Sequence, residues 1–261
     1  MLKLKLNTIV SLFFLLILLS GFIYCVKNPV NTGSGSWVVT NSTLKDPDGN
    51  TYATVTIGSQ VWTVENLKTT KYNDGTPIPH VPDKAAWYNL YLTNSTSAAY
   101  CYYENNSANK DKYGALYNWY AVNTGKLAPK GWRVPTDADW DTLQNFLIAN
   151  GYNWDGTTSG NKIAKAMAAQ TDWASDNGPG SIGNDLSKNN ASGFSALPGG
   201  FRGNQGPFSD QSYYAVWWSA TEFDASNAFC RALLYFFAAH LSRNDDNKSW
   251  GYSVRLLRDL D

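Results

Sequence analysis

The sequence Gly131-Trp132-Arg133-Val134-Pro135-Thr136-Asp137-Ala138-Asp139-Trp140 decides the fold, because it specifies a strand end and a helix start within ten residues. Pro135 favours an extended conformation at Val134. Thr136 suits the N-cap position, since its hydroxyl can accept a backbone N–H that has no partner in the first helical turn. Asp139 completes a capping box, with Asp in place of the usual Glu or Gln. A helix is therefore predicted to begin directly after Thr136.

This helix is predicted over residues 137–149, and Asn150-Gly151 ends it. Its apolar residues recur at helical spacing and define one face. They are Trp140, Leu143, Phe146 and Leu147. The segment is expected to fix this helix against a sheet.

The remaining elements follow on both sides of this helix. A hairpin is predicted over residues 52–64, with its turn at Gly58-Ser59. Two further helices are predicted at 113–122 and 162–169, and a long polar loop at 170–193. Strands are predicted at 194–197, 214–219, 229–239 and 252–257. This order indicates an α+β domain, in which the last strand pairs with the first hairpin.

Composition excludes two classes of protein. The chain has 261 residues, of which 43% are hydrophobic and 15% aromatic, and its 21 Lys and Arg balance 21 Asp and Glu. Nucleic-acid partners are not expected, because they are bound mainly through excess positive charge. Disorder is not expected either, because it requires low hydrophobicity and high net charge. Many aromatic residues with few charges are typical of extracellular binding domains rich in β-structure.

The N-terminus predicts export. Lys3 and Lys5 precede an apolar stretch at residues 9–23, which matches a secretory signal peptide, with an uncleaved membrane anchor as the alternative. Cys25 follows this stretch and is a candidate for lipidation, although the tripeptide Leu19-Ser20-Gly21 is displaced from the position that a lipoprotein signal requires. We therefore assign residues 1–25 to a signal, 26–44 to a flexible tether and 45–261 to one domain.

The three cysteines are Cys25, Cys101 and Cys230. If Cys25 is lipidated or removed, the other two remain as an even pair in an oxidising compartment. A disulfide between Cys101 and Cys230 is therefore predicted, and two buried free thiols are the alternative.

Several short segments together resemble the Fibrobacter succinogenes major paralogous domain, over about residues 46–260. They are Asp48–Tyr52, Ile57–Trp62, Glu65–Leu67, Tyr113–Trp119, Gly131–Thr136, Gly193–Arg202, Trp218–Thr221 and Ser253–Asp259. The resemblance implies an exported, often lipid-anchored bacterial protein. It further implies a C-type lectin-like fold related to the formylglycine-generating sulfatase-modifying enzymes, with a twisted antiparallel sheet, two to three flanking helices and long loops.

Little of the chemistry associated with that fold is present. The related enzymes carry a reactive cysteine pair near the C-terminus, whereas Cys230 is the only cysteine in that half, so an enzyme is not predicted. His80 and His240 have no local catalytic partners. No cofactor is expected, although Asp245 and Asp246 are weak calcium candidates, with a solvated hairpin tip as the alternative.

Aromatic residues in the C-terminal third are the binding candidates, because their rings can stack on sugars or anchor a protein interface. The predicted ligand-binding residues are Trp217, Trp218, Glu222, Phe223, Asp224, Arg243, Asn244 and Trp250. We predict a monomeric binding module for a glycan or a surface protein, held at the outer membrane or cell surface by its lipid anchor, or otherwise secreted. A structural envelope protein and a diverged enzyme are the alternatives.

Overall fold

The computed structural model describes residues 39–236 and 239–260. Eleven strands and five α-helices lie in these residues. The strands are β1 (Val39–Lys45), β2 (Thr51–Ile57), β3 (Gln60–Thr63), β4 (Tyr100–Cys101), β5 (Leu116–Tyr117), β6 (Gly199–Arg202), β7 (Phe208–Gln211), β8 (Tyr214–Glu222), β9 (Asn227–Leu234), β10 (Ser242–Asn247) and β11 (Leu257–Asp259). The helices are α1 (Lys84–Leu92), α2 (Asn109–Tyr113), α3 (Trp119–Val122), α4 (Asp137–Ala149) and α5 (Ala164–Met167).

The strands form small antiparallel sheets, which agrees with the predicted α+β class. One sheet has the order β1-β2-β3-β11 and another has the order β10-β9-β8. Two further two-stranded sheets consist of β4 with β5 and of β6 with β7. None of the helices within these two described ranges is long and apolar enough to cross a bilayer.

The predicted first hairpin is confirmed. Strands β2 and β3 pair with Ile57 opposite Gln60, so Gly58-Ser59 forms the two-residue turn. Gly58 has φ +62°, and a Cβ atom there would lie 2.7 Å from the Phe146 ring. Glycine is therefore required both by the backbone conformation and by the close approach of α4.

The last strand closes the first sheet, as predicted. In β11, Leu257 pairs with Trp62 of β3. The Arg133 amide also donates to the Leu257 carbonyl at 2.9 Å, so the chain entering α4 lies on the other edge of β11. Both ends of the described chain thus contribute to one sheet.

Helix α4 has the predicted bounds and the predicted cap. The Thr136 side chain accepts from the Asp139 amide, and the Asp139 carboxylate accepts from the Thr136 amide. Burial of Trp140, Leu143 and Leu147 gives the helix its inner face. The Trp140 ring packs 4.8 Å from that of Trp62, which fixes the helix against β3.

The other two predicted helices are shorter than expected. The segment 113–122 is divided by Gly114 at φ +79°, where a Cβ atom would lie 2.8 Å from the Leu67 carbonyl. The side chain of Asn118 then caps α3. Helix α1, which begins after the N-cap Asp83, is absent from the sequence-based prediction.

Strand bounds also differ from the prediction at several places. The segment 194–197 forms only an isolated bridge, between Ala168 and Ala196, and the regular strand is β6. The regular part of the last strand is β11, which begins at the final residue of the predicted segment 252–257. Strand β1 includes residues 39–44 of the predicted tether. The predicted signal and Cys25 lie outside the described residues.

The core consists of two large apolar clusters, which meet at β8. Trp217 belongs to the cluster that contains Trp62 and Trp140, whereas Trp218 belongs to the cluster that contains Tyr117 and Tyr252. Successive side chains of a strand point to opposite faces, so adjacent tryptophans serve different clusters. Strand β8 is therefore central to the domain.

Candidate functional site

Trp217 and Trp218, two of the predicted ligand-binding residues, belong to the core. Both side chains are fully buried. The Trp217 indole donates to Asn66 Oδ1 at 2.9 Å, and the Trp218 indole donates to the Tyr117 carbonyl at 2.8 Å. Placing them at a binding surface was wrong, because β8 is covered on both faces.

Trp250 is half-buried and lies among other aromatic side chains. Its ring centroid is 5.3 Å from that of Phe201 and 5.9 Å from that of Tyr252. Trp250 therefore covers the edge of the core and presents only part of its ring to solvent.

The tip of the β8–β9 hairpin carries the exposed aromatic residue among the predicted ones. Phe223 is 51% exposed, and its ring lies 5.2 Å from that of Phe229. The Arg243 guanidinium lies over the Phe229 ring, 3.9 Å from its centroid. We call Phe223, Phe229 and Arg243 the hairpin-tip surface. It is a continuous strip of two rings and one cation.

Hydrogen bonds within the turn fix the conformation of this tip. The Asp224 carboxylate accepts from the amides of Ser226 and Asn227, each at 2.7 Å. These bonds, that to Ser226 first, lower the pKa of Asp224. The exposed side chain of Asp224 thus fixes the conformation of the turn in the free protein.

A buried lysine holds the same tip from below. The Lys248 ammonium donates to the carbonyls of Asp224 at 2.7 Å and Ala225 at 2.8 Å, and to the Glu222 carboxylate. It also lies 4.9 Å above the Trp119 ring. Glu222 and Asp224 therefore help to fix the tip, and both carboxylate oxygens of Asp224 accept hydrogen bonds within the turn.

The start of α4 adjoins the hairpin-tip surface through an ion-pair network. Asp137, the first residue of α4, pairs with Arg243 at 2.8 Å and with the buried Arg231 at 2.6 Å. Asp141 pairs with Arg231 from the other side, at 2.7 Å. The helix thus fixes the position of Arg243 over the Phe229 ring.

Of the other predicted residues of β10, one borders this surface and two do not. Asn244 pairs with Cys230, so its side chain is on the opposite face of the sheet from Arg243. Asp245 is exposed beside Phe229. Asp246 accepts hydrogen bonds from Cys230 at 3.1 Å and from Tyr252 at 2.9 Å.

The two calcium candidates are therefore on opposite faces of β10. Strand alternation separates the carboxylates of Asp245 and Asp246, and the second already has two hydrogen-bond donors. The residues that the structure describes contain no group of three or more His, Cys, Asp or Glu side chains placed to hold a metal ion.

The predicted disulfide between Cys101 and Cys230 is absent, and both residues are buried free thiols. Cys101 belongs to a small cluster around Trp87, whereas Cys230 belongs to the large cluster around Trp218. Burial raises the pKa of Cys101 to about 11 and raises that of Cys230 further. The pairing was wrong because sequence alone does not show which cluster each cysteine joins.

A second buried lysine holds the predicted long loop in a similar way. The Lys165 ammonium donates to the carbonyls of Ser181 at 3.2 Å, of Asp185 at 3.3 Å and of Asn184. Burial lowers the pKa of Lys165. The Lys165 ammonium thus supplies hydrogen-bond donors to the backbone carbonyls of this loop.

Phe229 and Lys248 are the site residues that sequence reasoning missed. Phe229 alternates with the buried residues Ala228 and Cys230, and this pattern places it on the outer side of β9. Alternation alone could therefore have identified it. Lys248 carries no comparable signal, because its role depends on a turn more than 20 residues away in sequence.

Comparison with known protein families gives a match to this chain. The sequence profile of a family described as the Fibrobacter succinogenes major domain matches residues 55–258. This range includes α4 and its cap, the hairpin-tip surface and most of β11. No curated protein and no solved structure matches the chain.

Proposed function

We propose, on the premise that the chain belongs to the Fibrobacter succinogenes major domain family, that it is an exported cell-surface binding module. Its ligand is a glycan or a surface protein, and the hairpin-tip surface binds it. We further propose a C-type lectin-like arrangement of the sheets, a lipid anchor at Cys25 and a monomeric domain. The small antiparallel sheets support the lectin-like arrangement, and the family membership supports the cell-surface assignment.

The main support for the proposal is that Phe223 is exposed on a turn whose conformation is already fixed. Because the Phe223 side chain is half-exposed, it gains only part of its possible burial energy in the free protein. Its turn is nevertheless fixed by Asp224 and by the buried Lys248. A rigid exposed ring loses little conformational entropy on binding, and this favours affinity.

The chemistry around Phe223 suits both classes of ligand. Aromatic faces pack against the apolar faces of sugar rings, and the carboxylates of Glu222 and Asp224 can accept hydrogen bonds from hydroxyl groups. Aromatic residues and arginine are also enriched in the centres of protein interfaces. Arg243 and Phe223 provide this combination within one strip.

The diverged-enzyme alternative gains little from the free thiols. A catalytic cysteine needs a lowered pKa and access to solvent. Cys101 and Cys230 are buried with raised pKa values, so the thiolate is disfavoured at neutral pH. The binding proposal is therefore the better supported of the two.

Phe223→Ala tests the proposed surface. Purified protein is assayed on a glycan array and in pull-downs from bacterial envelope proteins, and affinity for the ligand found is then measured. We expect Phe223→Ala to weaken binding at least about tenfold, because a central aromatic contact often contributes about 2 kcal/mol or more.

Leu92→Ala is the matched control. Leu92 is 57% exposed at the end of α1, outside the hairpin-tip surface, so its loss should leave affinity unchanged. Equal affinity of Phe223→Ala and the parent protein would contradict the assigned surface. Absence of any ligand in both screens would contradict the binding function itself.

A further inference from the structure

A small cleft opens beside the end of the chain, away from the residues that the proposed function uses. Its volume is about 160 Å³. It is lined by Val64, Glu65, Asn66, Lys112, Ala169, Ser195, Leu197 and Arg255. An apolar cavity of about 150 Å³ can hold a molecule the size of benzene. The cleft therefore has room for a small organic molecule.

Arg255 gives this cleft a buried positive charge. Its side chain is 1% exposed, and no carboxylate in the described part of the chain forms an ion pair with it. Burial lowers the pKa of Arg255 to about 9, although Glu65 opposes this effect. The guanidinium is still charged at neutral pH, so its desolvation is only partly offset by the protein.

The hydrogen bonds of Arg255 leave one N–H group of its guanidinium without an acceptor, on the side of the cleft. Nε donates to Asn66 Oδ1 at 2.8 Å, and Nη1 donates to the carbonyls of Thr63 at 2.6 Å and Phe194 at 3.0 Å. Nη2 has one bond, a long one of 3.3 Å to the carbonyl of Ser195, which lines the cleft. A guanidinium has five N–H groups, so one on Nη2 has no acceptor among the described residues.

Arg202 is a useful comparison within the same protein. It too is fully buried, and its guanidinium donates to the carbonyls of Val81, Pro82, Asp83 and Gly206. It therefore forms four hydrogen bonds, as many as Arg255 forms. Arg255 differs because it lies at the wall of an open cleft.

The other charged side chains at the cleft restrict the number of anionic groups that a ligand can carry. Lys112 lies at its mouth, half-exposed, and pairs with Asp172 at 2.6 Å. Glu65 also lines the cleft, where its carboxylate accepts from the Ala53 amide at 2.9 Å. One anionic group is attracted by Arg255 and Lys112, whereas a second would be repelled by Glu65. Of the remaining lining residues, Val64, Ala169 and Leu197 are apolar, whereas Asn66 and Ser195 are polar.

We propose that this cleft binds a small monocarboxylate with a short hydrocarbon tail. A carboxylate oxygen accepts a hydrogen bond from Arg255 Nη2, and the Lys112 ammonium adds a longer-range attraction. The tail packs against Val64, Ala169 and Leu197. A guanidinium paired with a carboxylate forms one of the stronger hydrogen bonds in proteins, and this bond opposes the cost of burying both charges.

Titration of isotopically labelled protein with sodium butyrate, followed by amide chemical shifts at pH 7, tests the site. We expect saturable shifts confined to residues 63–66, 194–197 and 253–256. Acetate should bind more weakly because it lacks the tail, and succinate should bind more weakly because Glu65 repels its second carboxylate. Sodium chloride at equal ionic strength should cause no saturable shift.

Two variants and two controls make the test specific. Ala169→Leu fills the cleft and should weaken butyrate binding at least about tenfold. Lys112→Gln should weaken it about threefold. Lys126→Gln, which removes a comparable exposed lysine paired with Asp74, should change nothing, and neither should Phe223→Ala.

Four results would overturn the proposal. They are the lack of a saturable shift with butyrate, an equal effect of chloride, succinate binding as tightly as butyrate, and unchanged affinity in folded Ala169→Leu protein. Because Phe223 is outside the cleft, failure of this proposal is distinct from failure of the hairpin-tip surface.

Discussion

At the scale of single residues, Thr136, Asp139 and Arg133 join the start of α4 to the sheet. Asp139 accepts from the Thr136 amide at 2.9 Å and from Arg133 Nη2 at 2.7 Å. Burial raises the pKa of Asp139, but its hydrogen bonds to Arg133 and Thr136 produce a net lowering. Arg133 also pairs with Asp259 of β11 at 2.9 Å. One carboxylate thus links the helix cap to the last strand.

Thr136→Ala is expected to lower the free energy of unfolding by about 1 kcal/mol, because it leaves the Asp139 amide without its cap. Thr142→Ala is the control in the same helix, since the Thr142 hydroxyl is exposed and bonds only to the Ala138 carbonyl. Urea denaturation of both variants measures the difference. Equal midpoints for the two variants would show that the cap contributes nothing.

At the scale of elements, buried lysine ammonium groups stabilise two irregular segments. Lys248 binds the β8–β9 turn, and Lys165 binds the loop at residues 181–185. In each case a cation reaches carbonyl oxygens that regular structure leaves without partners. These loops are therefore ordered by side chains that arise from distant parts of the chain.

Lys248→Met keeps the aliphatic part of the side chain but removes the ammonium. We expect a loss of roughly 2 kcal/mol, because hydrogen bonds to charged groups contribute about that much. Amide hydrogen exchange at residues 224–227 should also accelerate. Lys126→Met is the control, since its ammonium forms an exposed ion pair with Asp74 at 2.8 Å. Unchanged exchange at the turn would contradict the role given to Lys248.

Elements set by local signals were predictable from the sequence, whereas those set by distant contacts were not. Helix α4 has its predicted bounds because its cap and its apolar face lie within one stretch. The predicted helix at 113–122 fails at Gly114, where the backbone meets Leu67. The exposure of Phe223 was compatible with its turn position, but the burial of Trp217 depends on α4 and β9 together.

At the scale of the whole molecule, several buried tyrosine and cysteine side chains make the free energy of unfolding fall at alkaline pH. Burial raises the pKa of Tyr52, Tyr117 and Tyr252 well above 10.0, and raises that of Cys101 to about 11. In the unfolded chain these groups lose their protons from about pH 8.5 for cysteine to about pH 10 for tyrosine. The folded protein retains them, so its stability is full below about pH 8.5 and falls as pH rises further.

We expect the free energy of unfolding to be steady from pH 7 to about 8.5 and to fall steeply above about pH 9.5. Each such group adds a slope of up to about 1.4 kcal/mol per pH unit. Tyr117→Phe should lower stability at pH 7, because its hydroxyl donates to the Thr69 carbonyl, and should flatten the alkaline slope. Urea denaturation between pH 7 and 10.5 measures both. A flat profile to pH 10.5 would contradict the expectation.

The pairing of β11 with β3 has a consequence for the timing of folding. Residues 257–259 complete a sheet that begins at residue 39, so a ribosome must translate all the residues between them before this sheet can close. Contacts between such distant residues also slow folding. This sheet therefore stays incomplete until residues 257–259 have been synthesised. A premature stop codon before residue 257 would leave one edge of β3 without a paired strand.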